Sequence, residues 1–149
     1  QLLEENHLRW DSLGEYCALM PSLEMISAKY EKPQVALLAE ALDDAIGKYL
    51  ENQKAPTRKV NEIDNRGSNF YLALYWAQAL ANQDKDSEIR DRFARVASDL
   101  EKNEAKINEE LIAAQGRPVD IGGYFRPDRQ KADKEMRPSQ TLNAIIDNM

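Results

Sequence analysis

Apolar residues recur at three- and four-residue spacings along most of the chain, the period of helices buried on one face. Leu13, Tyr16, Cys17, Met20, Leu23, Ile26 and Tyr30 form the first such run. Pro21 lies inside it and is expected to kink or divide the helix, because proline lacks the amide and crowds the preceding turn. In front of the run, Ser12-Leu13-Gly14-Glu15 fits a capping box, in which hydroxyl and carboxylate each take a free amide. Pro33 suits the first turn of a second helix. Its buried stripe would be Val35, Leu38, Leu42, Ala45, Ile46 and Tyr49. Residues 52–66 carry no period. A third helix, roughly Ser68 to Asn82, holds Phe70, Tyr71, Leu72, Leu74, Tyr75, Trp76 and Leu80. It is apolar on nearly every side and is therefore predicted to be the central buried helix.

Beyond it, Asp86 or Ser87 is suited to cap a run of Ile89, Phe93, Val96, Leu100, Ile107, Leu111 and Ala114, interrupted by polar Asn103. The pattern predicts one long helix or two nearly collinear ones, stopped by Gly116 and Pro118. The stretch near 116–130 reads as a turn-rich excursion, with a short strand expected at Val119 to Ile121. A last helix follows Ser139, with Leu142, Ile145 and Ile146 facing inward. The fold class is mainly α, five to six helices in a single segment spanning 1–149.

Composition narrows what such a segment does. Its 149 residues suffice for one core that buries about two-thirds of the unfolded surface. A formal net charge of −6 disfavours nucleic-acid or anionic-membrane binding, which needs a phosphate-neutralising face. Any anion site must be local. No apolar run reaches membrane-spanning length. A single cysteine, Cys17, suits a reducing compartment, and one His with one Cys cannot supply a Cys/His zinc site. The chain begins with Gln1 rather than Met, and its first residues read like continuing sequence.

Against that acidic background, "KAPTRKV" at residues 54–60 gathers Lys54, Arg58 and Lys59 without an acid. Arg supplies a planar fork of donors for phosphate and Lys a point charge. Free amides at the start of the third helix would add donors, and Gly67 would let backbone approach a ligand closely. The competing reading leaves these cations solvated, with Asp64 paired to Arg66 at the helix start. In "NHLRWDS", residues 6–12, Arg9 and Asp11 straddle Trp10 and fall on one side of an extended segment. Arg would hold phosphate and Asp would accept ribose hydroxyls. The competing reading is a helix lead-in: Asp11 near the N-terminus, Trp10 packed inward, Arg9 paired on the surface and His7 a packing or surface residue. "DIGGYF" with Arg126 matches neither common phosphate-loop pattern and reads as a tight turn. Asp43-Asp44 and Glu109-Glu110 read as solvated faces, and Tyr75-Trp76 as core. Residues of the right type for a nucleophile–base pair or a metal cluster do not come together.

Four stretches carry a resemblance: "LEENHLRWDSLGE", "RKVNEIDNRGSNFYLALYWAQALA", "QGRPVDIGGYF" and "MRPSQTLNA". In order and spacing they closely resemble the C-terminal part of the monomeric-type NADP-dependent isocitrate dehydrogenases. Asn69 departs from a common family form that has His there, at a position given no ligand role. The resemblance implies a larger two-domain α/β enzyme, with this chain the C-terminal part of the cofactor-binding domain I. It implies oxidation of isocitrate to 2-oxoglutarate and CO2 with NADP, a bound Mg2+ or Mn2+, and a cytoplasmic enzyme that is monomeric at full length. It also implies cofactor-binding roles for Arg9, Asp11 and Arg58, the two arginines on the adenosine 2′-phosphate. The family's catalytic residues, metal carboxylates and isocitrate-binding segment have no counterpart here, so the segment alone is expected to be inactive and to expose faces prone to self-association. The alternatives are a free-standing helical protein-interaction module and a small NADP-binding regulator.

Overall fold

The computed structural model describes residues 1–149, which form eight helices and no strand. They are α1 (Leu2–Glu5), α2 (Leu13–Tyr30), α3 (Pro33–Glu51), α4 (Asn65–Asn82), α5 (Ser87–Lys102), α6 (Glu104–Ala113), α7 (Arg129–Met136) and α8 (Gln140–Asp147). The mainly helical expectation holds. The number is higher because α1 is a single turn, α7 ("RQKADKEM") has no apolar stripe to reveal it, and Asn103 divides α5 from α6. The predicted strand at Val119 to Ile121 is absent. There the Val119 amide bonds the Leu3 carbonyl and the Asp128 amide the Ile121 carbonyl, isolated ties rather than a ladder.

α4 is the central element, packed on α3 along one side and on α5 and α6 along the other. Phe70, Tyr71, Leu74 and Ala77 meet Val96, Ala97, Leu100, Ile107 and Leu111. Leu72 meets Leu42, Ala45, Ile46 and Tyr49 of α3, and Leu80 meets Leu37 and Ala41. With three faces occupied, an all-round apolar composition is what its position requires. Phe70, Leu72 and Leu80 are fully buried, each worth about 1.5–3 kcal/mol of apolar transfer. The helix begins at Asn65, a turn earlier than its apolar run, because Asp64 caps it.

Other local expectations are corrected. Pro21 does not divide α2, which continues to Tyr30; the missing proline amide deprives the Cys17 carbonyl of its partner on a face open to water. The Ser12–Glu15 capping box does not form. Asp11 Oδ1 accepts from the Leu13 amide at 2.9 Å, while Ser12 Oγ accepts from Asn65 Nδ2 at 2.9 Å. Of the two candidates ahead of α5, Asp86 is the cap, accepting from the Ile89 amide. The excursion between α6 and α7 does hold a tight turn. Gly122 sits at φ 81°, where an added Cβ would stand 2.7 Å from Asp128 Cβ. In α8, Leu142 and Ile145 pack on the α4–α5–α6 core, whereas Ile146 lies outside it and is 39% exposed.

Glu110 is also unlike its sequence reading as a solvated residue. Its carboxylate accepts from Ser139 Oγ (2.6 Å), the Thr141 amide (3.1 Å) and Thr141 Oγ1 (2.7 Å), and so fastens the start of α8 to α6. Partial burial pushes the Glu110 carboxyl up, but the bonds from Ser139 and Thr141 outweigh it and hold the group below its ordinary 4.5. A carboxyl lowered in the folded state stabilises fully above the unfolded value, and that contribution is lost as pH falls through the folded one. The melting-temperature advantage of the parent chain over Glu110→Gln should therefore be constant near neutrality and shrink below about pH 4.5. An advantage unchanged from pH 6 to pH 3 would show that the carboxylate does not hold α8.

Candidate functional site

The candidate site is built where residues 6–12 cross the first turn of α4. Arg66 and Asp64 are both buried there, with Arg66 Nη2 2.6 Å from Asp64 Oδ2. The guanidinium donates through Nε to Asp64 Oδ2 (3.0 Å), through Nη1 to Asn6 Oδ1 (3.2 Å) and the Glu135 carbonyl (2.7 Å), and through Nη2 to the Asn6 carbonyl (2.7 Å) and Asp64 Oδ2. All five of its N–H donors are thus used. Asp64 also accepts from the amides of Leu8, Arg66 and Gly67. Asn6, at φ 45°, passes the network on through Nδ2 to the Ala114 carbonyl and to Glu135 Oε2, which Arg117 reaches from outside.

This arrangement corrects two expectations about the helix start. Its amides are not free for an anion: Asn65 donates to the Leu8 carbonyl, Ser68 to the Asp64 carbonyl, and Arg66 and Gly67 to the Asp64 side chain. Gly67 serves close packing instead, since a Cβ there would lie 2.9 Å from Ile63 Cγ1. The expected Asp64–Arg66 pair is present.

The two cationic segments are strapped together. His7 Nε2 donates to the Thr57 carbonyl at 2.8 Å, Nδ1 lies 2.8 Å from Gln115 Oε1, and the ring is buried. Gln1 Nε2 donates to the Arg58 carbonyl at 3.1 Å. His7 is therefore a packing residue, as read, and its bond brings the segment that carries Arg9 against the loop that carries Arg58. Within that loop the cations are not equivalent. Lys54 Nζ lies 3.8 Å from the centroid of the Tyr71 ring, a cation–π contact, and Lys59 reaches Glu62 at 3.8 Å. Arg58 and Arg9 are exposed and make no ion pair. The sequence reading of a surface-paired Arg9 and an inward Trp10 is thus corrected, Trp10 being 45% exposed.

Asp11 is the third predicted site residue. Its Oδ1 accepts from the Leu13 amide and from Tyr49 Oη, each at 2.9 Å, while Oδ2 makes no bond within the fold and is available to another donor. Burial, followed by the Asp11 carboxylate it donates to, pushes the Tyr49 phenol up to about 12, so it remains a donor at any working pH. Two exposed, unpaired guanidinium groups and a half-engaged carboxylate, on a rigid base, suit a ligand with both phosphate and hydroxyls. Sequence reasoning passed over Asn6, Asn65 and Glu135, whose roles depend on partners more than fifty residues away. For a metal, the chain offers no group of three His, Cys, Asp or Glu side chains able to hold one.

The model of the family "Monomeric isocitrate dehydrogenase" matches residues 1–147. An "Isocitrate dehydrogenase [NADP]" of Azotobacter vinelandii is 56% identical over 146 residues, 98% of this chain and 20% of that protein. "Isocitrate dehydrogenase [NADP] 2" of Mycobacterium tuberculosis is 54% identical over 147 residues, and that of Colwellia maris 53% over 146, again covering 20% of each. The chain thus spans about a fifth of the length of the curated relatives it matches.

The buried pair makes a sharp expectation. Arg66→Met strips the counter-charge from Asp64 inside the protein and should cost about 3–5 kcal/mol in urea unfolding. A loss below about 1 kcal/mol, within the range of exposed pairs, would mean that the network does not hold the segments together.

Proposed function

The chain belongs to the monomeric isocitrate dehydrogenase family, and on that premise we propose that it works as the C-terminal part of the cofactor-binding domain of a longer NADP-dependent enzyme. The enzyme oxidises isocitrate to 2-oxoglutarate and CO2 while reducing NADP+. Arg9 and Arg58 grip the adenosine 2′-phosphate, and Asp11 contacts the cofactor through its free oxygen. The observation that carries this assignment is the division among the cations: Lys54 and Lys59 have partners in the fold, while Arg58 and Arg9 stand unpaired on two segments joined by His7. Guanidinium keeps its charge at any working pH and matches phosphate oxygens with paired donors.

The chain's own residues bind and orient; hydride transfer and decarboxylation belong to the complete enzyme. The Mg2+ or Mn2+ that the resemblance implies finds no donor set in this segment, and its ligands are proposed to lie elsewhere in the enzyme. The segment by itself is accordingly proposed to be inactive. A cytoplasmic setting is part of the same proposal, and the exposed free thiol at Cys17 suits a reducing compartment. A match to one enzyme family over nearly the whole chain leaves the interaction-module and small-regulator alternatives without an observation in their favour.

In the full-length enzyme, Arg9→Ala and Arg58→Ala should each raise KM for NADP+ roughly ten- to a hundred-fold, the worth of a charge-assisted bond to phosphate, with much less effect on NAD+ use. Steady-state kinetics with both cofactors decides the matter. Equal losses with NAD+ and NADP+ would mean that these side chains do not read the extra phosphate.

A further inference from the structure

We infer that Asn65 is a positioning residue for the cofactor segment, fixing the stance of Arg9 and thereby the preference for the 2′-phosphorylated dinucleotide. The inference rests on the proposed role of Arg9 and deepens it. Residues 8, 10 and 12 are each tied to the first turn of α4. The Leu8 amide donates to Asp64 Oδ2 (3.3 Å), and the Leu8 carbonyl accepts from the Asn65 amide (2.7 Å). The Trp10 carbonyl and Ser12 Oγ both accept from Asn65 Nδ2, at 3.0 and 2.9 Å. The residues between these anchors, Arg9 and Asp11, are exposed. Of the four ties Asn65 makes three, and it is the only one of the side chains involved to reach beyond residue 8.

Asn65 is itself held. Its Oδ1 and its carbonyl accept from Asn69 Nδ2 at 3.0 and 2.8 Å, and Asn69 Oδ1 accepts from Tyr16 Oη at 2.5 Å. The Asn65 amide therefore has one orientation, with Nδ2 aimed at the segment. The residue is only 9% exposed, so water cannot readily replace its bonds. A buried amide whose two donors are committed to one segment, at the Trp10 carbonyl and the Ser12 hydroxyl, acts as a template that sets where the flanking side chains leave it. Its bonds go to neither the Arg9 nor the Arg58 guanidinium, which separates its role from theirs. Releasing residues 10–12 would let the Arg9 guanidinium spread over more positions. Asp11 keeps its own ties to the Leu13 amide and the Tyr49 hydroxyl, so the loss falls on NADP+, which alone carries the 2′-phosphate.

The test is Asn65→Ala in the full-length enzyme, with Ser12→Ala as a milder release that leaves Asn65 in place. Asn65→Ala should raise KM for NADP+ roughly three- to ten-fold, the range of one or two ordinary hydrogen bonds. The value of kcat should hold within about two-fold, with KM for NAD+ little changed, and Ser12→Ala should shift the same ratio by less. In an Arg9→Ala background, Asn65→Ala should produce no further fall in NADP+ preference. The inference is overturned if Asn65→Ala spares that preference while Arg9→Ala lowers it, or if its effect is the same in both backgrounds. If the alanine variant does not fold, an unshifted preference in Ser12→Ala overturns it equally. An Arg9→Ala enzyme with unchanged preference would instead remove the role of Arg9 on which the inference depends.

Discussion

The structure depends on one guanidinium placed out of water. Arg66 carries its charge into the junction of residues 6–8, the start of α4, the end of α6 and the end of α7, and every donor it possesses finds an oxygen there. Burying an ion is costly, and a buried pair is retained only where its remaining hydrogen bonds are satisfied. Asp64 meets that condition with amides from both the helix and the crossing segment. What the pair gives in return is geometry. Apolar packing among the helices would tolerate some sliding; a five-donor fork with fixed acceptors tolerates little.

That fixed junction explains how an acidic protein can offer a local cationic surface. The segment through residues 6–12 and the loop through residues 54–60 have no regular structure of their own, yet both are tied to α4 and to each other by partly buried polar bonds. α4 is in turn immobilised by apolar contacts with α3, α5 and α6. The outward-facing side chains, Arg9, Asp11 and Arg58, therefore sit on loops with the rigidity of the core. The acidic remainder keeps the rest of the surface unattractive to polyanions.

The apolar helices were legible in the sequence because their signal is periodic and local. α4 follows its apolar run and α3 its stripe from Leu42 onward, although near the start of α3 Leu37 is buried and the expected Val35 and Leu38 are only half-buried. The caps at Asp86 and Ser139 lie directly before their helices. The Asp64–Arg66 pair was legible for the same reason, its members being two residues apart. What escaped depends on distance along the chain. Ser12 fits a local cap, but Asn65 claims its hydroxyl from across the junction. Glu110 reads as a solvated acid until α8 arrives to donate to it. α7 has no apolar stripe, so only its Asp128 cap marks it. For the site, residue type and family resemblance picked out Arg9, Asp11 and Arg58, but nothing local revealed that His7 and Asn65 bond the segments that carry them.

The most direct measurement is arginine-specific chemical footprinting of the full-length enzyme, read residue by residue by mass spectrometry with and without cofactor. The account predicts that Arg9 and Arg58 react readily in the free enzyme, that NADP+ shields both while NAD+ shields neither, and that buried Arg66 stays unreactive throughout. Arg9 and Arg58 reacting equally fast with saturating NADP+, or Arg66 reacting as fast as they do, would contradict it.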